Sequence, residues 1–216
     1  MTLFLNRTVS LLYDDRQRVF DPIARAWRRV PEAALGGEAI SVQDAARWLQ
    51  KDSGRPARAP VAVIGPRTAT LAQLGAAEAL GAQLAGLGVA VLCGGLAGVM
   101  TAAAKGAAEA GGVAIGLLPE ADWRDANPYV TYALASGVGL ARNAIIAEAG
   151  LCIIAVGGGF GTLSEMAYGR QFDRPVFALE NAPEVAGVTK LDTVEAAIEA
   201  VARVILNLDG TEKPWR

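Results

Sequence analysis

Residues 157–165, GGGFGTLSE, bring three consecutive glycines, a fourth glycine, a threonine and a glutamate into nine positions. Without Cβ atoms the main chain at Gly157, Gly158 and Gly159 is free to turn sharply and approach a ligand closely. Gly161 and Thr162 are expected to open a helix, whose first N–H groups lack partners inside the helix and sit at the positive end of its dipole. A phosphate suits such a terminus, which makes Gly158, Gly159, Phe160, Gly161 and Thr162 candidate anion-binding residues. Glu165, three residues after Thr162, would place a carboxylate beside the same crevice. Two plainer roles compete: the turn could serve only to pack a helix on a sheet, and Thr162-Leu163-Ser164-Glu165 also fits a capping box.

The turn needs a strand before it, and Leu151 to Val156 is a short apolar run rich in β-branched residues, suited to a central parallel strand. From Val61 the chain alternates in this way throughout. Strands are expected at Val61–Gly65, Val89–Cys93, Val113–Leu117, Tyr129–Leu134 and Val176–Leu179, with helices at 71–87, 99–110, 139–149, 163–171 and 194–206. Such alternation implies right-handed crossovers and an α/β fold: a Rossmann-like three-layer sandwich around a mostly parallel sheet. Ligands in these sheets bind outside the carboxyl ends of the strands. Gly65 after the first strand, and Gly94 and Gly95 after the second, fall at that rim and join the candidate ligand-binding set. Neither turn matches the dinucleotide fingerprint, and the Walker A lysine pattern is absent.

Ahead of this lies a segment that reads as a β-hairpin, 8–13 and 16–20 joined at Asp14-Asp15, and a helix at 42–51 capped by Ser41. Residues 51–60, KDSGRPARAP, have the composition of a linker. The expected organisation is an N-terminal appendage over residues 1–57 and a nucleotide- or phosphate-binding domain over 58–216. The appendage is too small to hold much core alone and should pack on the larger domain or on a second subunit.

The 52% apolar and 19% charged content indicate a substantial core. A net charge of −2 gives no global reason to expect nucleic acid. The uncharged stretch 79–104 is broken by six glycines, so no membrane span is expected, and with no signal-peptide pattern the expected location is cytoplasmic. The chain has no histidine, which excludes His-dependent triads and His-ligated metals. Cys93 and Cys152 have no metal or redox spacing and fall in predicted core strands, so no metal site is expected.

Taken together, GGGFGTLSE at 157–165, CGGLAGVM at 93–100, Gly111-Gly112, Pro119 and Ala141-Arg142-Asn143 resemble the LONELY GUY family, long labelled possible lysine decarboxylases, and its branch of molybdenum cofactor carrier proteins. The likeness spans roughly 61–206. For the hydrolase branch it implies a nucleoside 5′-monophosphate phosphoribohydrolase, with Gly158, Gly159, Gly161 and Thr162 on the 5′-phosphate and Arg142 and Glu165 as catalytic pair at the glycosidic bond. There a carboxylate stabilises positive charge growing on the ribose. This chain departs from that branch: Gly157 stands for its proline, Asn143 for its lysine and Thr101 for a glycine. Those departures are closer to the carrier branch, which implies binding of a phosphorylated pterin, molybdenum cofactor as cargo, with no cofactor required. The resemblance also implies a homodimer or homotetramer. Pyridoxal-phosphate decarboxylation is not expected, because Lys105 and Lys190 sit in no Schiff-base setting.

Overall fold

The computed structural model describes residues 1–30 and 36–210; the last six residues of the expected 58–216 unit lie outside them. Five short strands come first, β1 (Leu3–Asn6), β2 (Leu11–Asp14), β3 (Arg18–Asp21), β4 (Ala26–Arg29) and β5 (Glu38–Ile40), followed by helix α1 (Val42–Lys51). They pair antiparallel in the order β4-β3-β2-β1-β5. The expected hairpin is therefore the centre of a five-stranded sheet, with β2 and β3 as its two strands. Burial alternates along β1 and β2, so Leu3, Leu5 and Leu12 face inward. Ser41 caps α1 as expected, its side chain accepting from the Asp44 amide.

The second sheet contains β6 (Val61–Ile64), β7 (Val91–Cys93), β8 (Ala114–Leu118), β9 (Tyr132–Ala135), β10 (Ile153–Val156), β11 (Val176–Leu179) and β12 (Thr189–Lys190). Every pairing in it is parallel, in the order β12-β11-β10-β6-β7-β8-β9. Helices α2 (Leu71–Leu87), α3 (Val99–Glu109), α4 (Arg142–Ala149), α5 (Phe160–Gln171) and α6 (Val194–Ile205) connect the strands. Alternate residues of each strand feed two cores. Val61, Val63, Ile154 and Val156 pack with α2, α3 and α6, whereas Ala62, Ile64, Ile153 and Ala155 pack with α4 and α5. This is a Rossmann-like three-layer α/β sandwich.

The N-terminal sheet joins the first of those cores, with Leu3, Leu5, Leu12, Phe20, Trp48 and Leu49 in one cluster with Leu84, Leu87, Ile198 and Ile205. Hydrogen bonds complete the seam: Trp27 Nε1 donates to the Leu206 carbonyl at 2.7 Å and Asn207 Nδ2 to the Arg25 carbonyl at 2.9 Å. The appendage thus packs on the larger sheet's own helices. Among the described residues no helix is long and apolar enough to cross a membrane.

Candidate functional site

Chain order reverses between β6 and β10: successive strands after β6 lie on one side of it, and β10, β11 and β12 lie on the other. Loops leaving the carboxyl ends of these two neighbours diverge and open a crevice. A cavity of about 250 Å³ occupies it, lined by Ile64, Gly65, Pro66 and Arg67 after β6, Gly94 and Met100 near β7, Leu140, Arg142 and Asn143 at the start of α4, and Gly159, Gly161, Thr162 and Glu165 in α5 and its approach.

The glycine turn divides into packing and open positions. Gly157 has φ +60°, and a Cβ on it would lie 2.1 Å from Gln73 Nε2. That amide belongs to the capping box of α2 and also donates to the Glu180 carbonyl at 3.2 Å, so Gln73 ties the turn to two other rim segments. Gly158, with φ +147°, lies against the Thr162 side chain, which would be 2.5 Å from its Cβ. By contrast, a Cβ on Gly159 would meet nothing within 4 Å, and one on Gly161 only Asn143 Nδ2 at 4.0 Å. Gly159 and Gly161 are where an anion could reach the helix terminus.

Helix α5 begins at Phe160 with Gly159 as its cap, and that cap makes no side-chain hydrogen bond. The expected start at Gly161-Thr162 and the Thr162–Glu165 capping box are both corrected by this. Glu165 lies beyond the first turn and is taken by Arg142, whose Nη1 donates to its Oε1 at 2.9 Å. Arg142 is 6% exposed and Glu165 5%. Burial pushes the Glu165 carboxyl up to about 7, outweighing the charge and hydrogen bond of Arg142, which pull it down. Arg142 keeps donors to spare, since its buried Nε has no hydrogen-bond partner. A buried guanidinium N–H is rarely left so; a water, an ion or a ligand ordinarily supplies the acceptor.

Of the sequence-derived candidates, Gly65, Gly94, Gly159, Gly161, Thr162, Arg142 and Glu165 meet in one cavity. Gly95, Gly158 and Phe160 do not line it. Gly95 backs onto Gly116 and Leu118, Gly158 onto Thr162, and Phe160 is 92% exposed. Arg67 and Asn143 are additions that motif reading did not place in the site. Asn143 Nδ2 donates to Ser164 Oγ at 3.0 Å, and that hydroxyl donates to the Gly161 carbonyl at 2.7 Å, so Asn143 braces the first turn of α5. Lys105 is paired with Glu78 at 2.8 Å, and neither it nor Lys190 lines the cavity. Cys93 and Cys152 are buried, and burial pushes the Cys93 thiol up to about 11.

Known proteins share this architecture. A molybdenum cofactor binding protein from the phototrophic bacterium Rippkaea orientalis superposes with a TM-score of 0.65 at 33% identity, covering 68% of this chain and 98% of that one. The molybdenum cofactor carrier protein of Chlamydomonas reinhardtii matches with a TM-score of 0.64 at 36% identity, covering 69% and 99%. An uncharacterized protein of Archaeoglobus fulgidus is 36% identical over 120 residues, 55% of this chain and 78% of its own length. The SLOG cluster4 family model matches residues 58–205, a span that contains the whole parallel sheet and every residue lining the cavity. The chain belongs to the SLOG cluster4 family.

Proposed function

We propose that the protein binds a phosphate-bearing pterin, molybdenum cofactor as carried cargo, in the cavity at the β6–β10 switch point. The observation that carries this reading is the buried Arg142, with an unpartnered Nε, in the same cavity as the open backbone at Gly159 and Gly161. Guanidinium and helix-terminal amides are both suited to a phosphate, and Arg67 adds a second cation in the lining. A volume of about 250 Å³ holds the phosphate and part of its carrier; whole-ligand pockets run from roughly 300 to 1,000 Å³. The pterin then extends across the open mouth. Two of the structural neighbours are named for binding or carrying this cofactor and are matched over nearly their full length, which supports the choice of cargo.

The hydrolase reading asks Glu165 to face a ribose as an ionised carboxylate. Its engagement by Arg142, its pKa raised by burial, which disfavours the ionised form, and the presence of Asn143 instead of a lysine weigh against that. Carriage includes self-association in this reading: α4, α5 and the turn before them expose Leu140, Ile145, Phe160 and Leu163 beside the cavity, a face suited to a second copy.

The test is to incubate the purified protein with molybdenum cofactor released from a donor enzyme, separate it by gel filtration and assay the protein peak for pterin. A parallel incubation with AMP and other nucleoside monophosphates is assayed for free base. Co-elution of pterin that is lost in Arg142→Leu, with no base released, is the expected result. Base release abolished by Glu165→Gln would establish the hydrolase instead, and neither activity would overturn both readings.

A further inference from the structure

The N-terminal sheet and α1 lie ahead of the part of the chain that the family match covers. The carrier proteins are covered over 98% and 99% of their lengths by 68% and 69% of this chain, and the family match begins at residue 58. The added sheet and α1 dock where α2 and α6 end. Arg47 Nε donates to the Gly86 carbonyl, Trp27 Nε1 to the Leu206 carbonyl, and Gly88 abuts the side chains of Gln50 and Lys51. Helices that follow parallel strands end at the edge of the sheet opposite the strands' carboxyl termini. The addition therefore sits away from the Arg142 cavity, and covering that cavity is not its role.

It borders a cavity of its own, about 380 Å³, between β2, Phe20 of β3, the turns before β2 and after β3 at the same end of that pair, and the end of α1 with the residues after it. Leu11, Leu12, Phe20, Trp48 and Leu49 provide apolar walls. Four of the five are buried in the core cluster, which holds the walls in place without a ligand. The polar lining is Ser10, Ser53 and Arg55. Ser53 Oγ is committed to the Leu49 carbonyl within its own helix end. Arg55 is exposed, and among the described residues its guanidinium has no hydrogen bond or ion pair. It acts on Asp21 only through charge, since that carboxylate is held by the Ile23 and Ala24 amides and by Arg28. The lining thus combines apolar side chains with polar surface and, at its edge, a cation that no hydrogen bond or ion pair holds among the described residues, an arrangement able to orient a ligand with a hydrophobic body and a single anionic group.

We propose that the N-terminal sheet and α1 form a second small-molecule site, for an amphipathic monocarboxylate whose aliphatic or aromatic body fills the cavity and whose carboxylate pairs with Arg55. This goes beyond cofactor carriage and does not depend on it.

The full-length protein labelled with 5-fluorotryptophan tests the proposal by ¹⁹F NMR, because Trp48 lines this cavity while the exposed Trp123 lies at the far rim. Trp48→Phe assigns the resonance. Titration with hexanoate should shift the Trp48 signal to saturation at about millimolar concentration, a strength reasonable for so small a ligand, and leave Trp123 unmoved. Arg55→Glu should weaken the effect at least about tenfold, while Arg55→Lys retains most of it; Arg55 is exposed and unpartnered, so an unchanged melting temperature verifies both folds. A shift that fails to saturate, that survives Arg55→Glu, or that hexanol or hexylammonium reproduces equally well would overturn the assignment.

Discussion

The guanidinium of Arg142 stands in the space that a side chain on Gly94 would need: a Cβ there would lie 2.3 Å from Nη2 and 2.7 Å from Met100 Sδ. Gly94 is thus the opening through which Arg142, at the start of α4, reaches Glu165 on α5 beneath the end of β7. An ordinary surface arginine would swing aside for one methyl group. This one is buried and anchored to Glu165, so displacing it breaks the pair. Gly94→Ala is expected to lower affinity for the phosphorylated ligand at least tenfold and to cost about 1–3 kcal/mol, the usual range for overpacking. Titration calorimetry with urea unfolding measures both; full affinity in the variant would show that Arg142 does not hold the ligand.

Gly161 allows binding to be separated from stability. It lies in the first turn of α5, and a Cβ on it would point into open space with only Asn143 Nδ2 at 4.0 Å. Alanine is favoured over glycine inside helices by about 0.8–1 kcal/mol, less near an end. Gly161→Ala is therefore expected to leave the melting temperature unchanged or slightly raised while weakening ligand binding, because the new methyl group enters the anion's approach to the helix terminus. Unchanged binding would move the phosphate elsewhere in the cavity.

The pH dependence has a definite sign. Glu165 is raised in the folded state from 4.5 to about 7, so between those values the native protein holds a proton that the unfolded chain releases. Stability from this group is fully present below pH 4.5 and is lost as pH rises through 7. At about 1.4 kcal/mol per pKa unit the full effect is about 3 kcal/mol. The urea midpoint should fall between pH 5 and pH 8, and Glu165→Gln should flatten that slope. The same acidity links binding to protons: a phosphate on Arg142 competes with Glu165 for the guanidinium, so capture near pH 7.5 should take up protons. Calorimetry in buffers of different ionisation enthalpy reads this directly.

The parallel sheet was legible because its inner strands β6, β7, β10 and β11 are continuous apolar runs buried on both faces. Helix α2 matched at both termini, where Thr70 and Gln73 form a capping box and Gly88 adopts the left-handed conformation. Three of the five N-terminal strands, β1, β4 and β5, were missed. They are three or four residues long, and Arg28 and Arg29 in β4 and Glu38 in β5 make those two read as loop, while β1, Leu3–Asn6, is too short to show a period. Two-residue β12 gave no pattern at all. In the site, the glycine turn identified the crevice but not which glycines face it, since that depends on Gln73 and Thr162 packing from the other side. The Thr162–Glu165 box was a local pattern overridden by a partner 23 residues away in sequence, Arg142. Arg67 could have been found from its place: it is the first cation after the strand at which chain order reverses.

Phe160 connects the cavity to assembly. It is the first residue of α5, lies between Gly159 and Gly161 of the cavity wall, and is 92% exposed. Leu140, another wall residue, is 76% exposed, and Ile145 and Leu163 continue the apolar face. Burying one such side chain is worth about 1.5–3 kcal/mol, so several together provide a real drive to cover this surface. Light scattering should find a dimer or tetramer at micromolar concentration, and Phe160→Glu should shift it toward monomer with the circular dichroism unchanged. If a second copy closes the mouth of the cavity, that variant also loses ligand affinity although Phe160 itself lies outside the lining, and dilution of the wild-type protein below its assembly constant reproduces the loss. A wild-type protein that stays monomeric and binds equally well at every concentration would show that one chain makes the whole site.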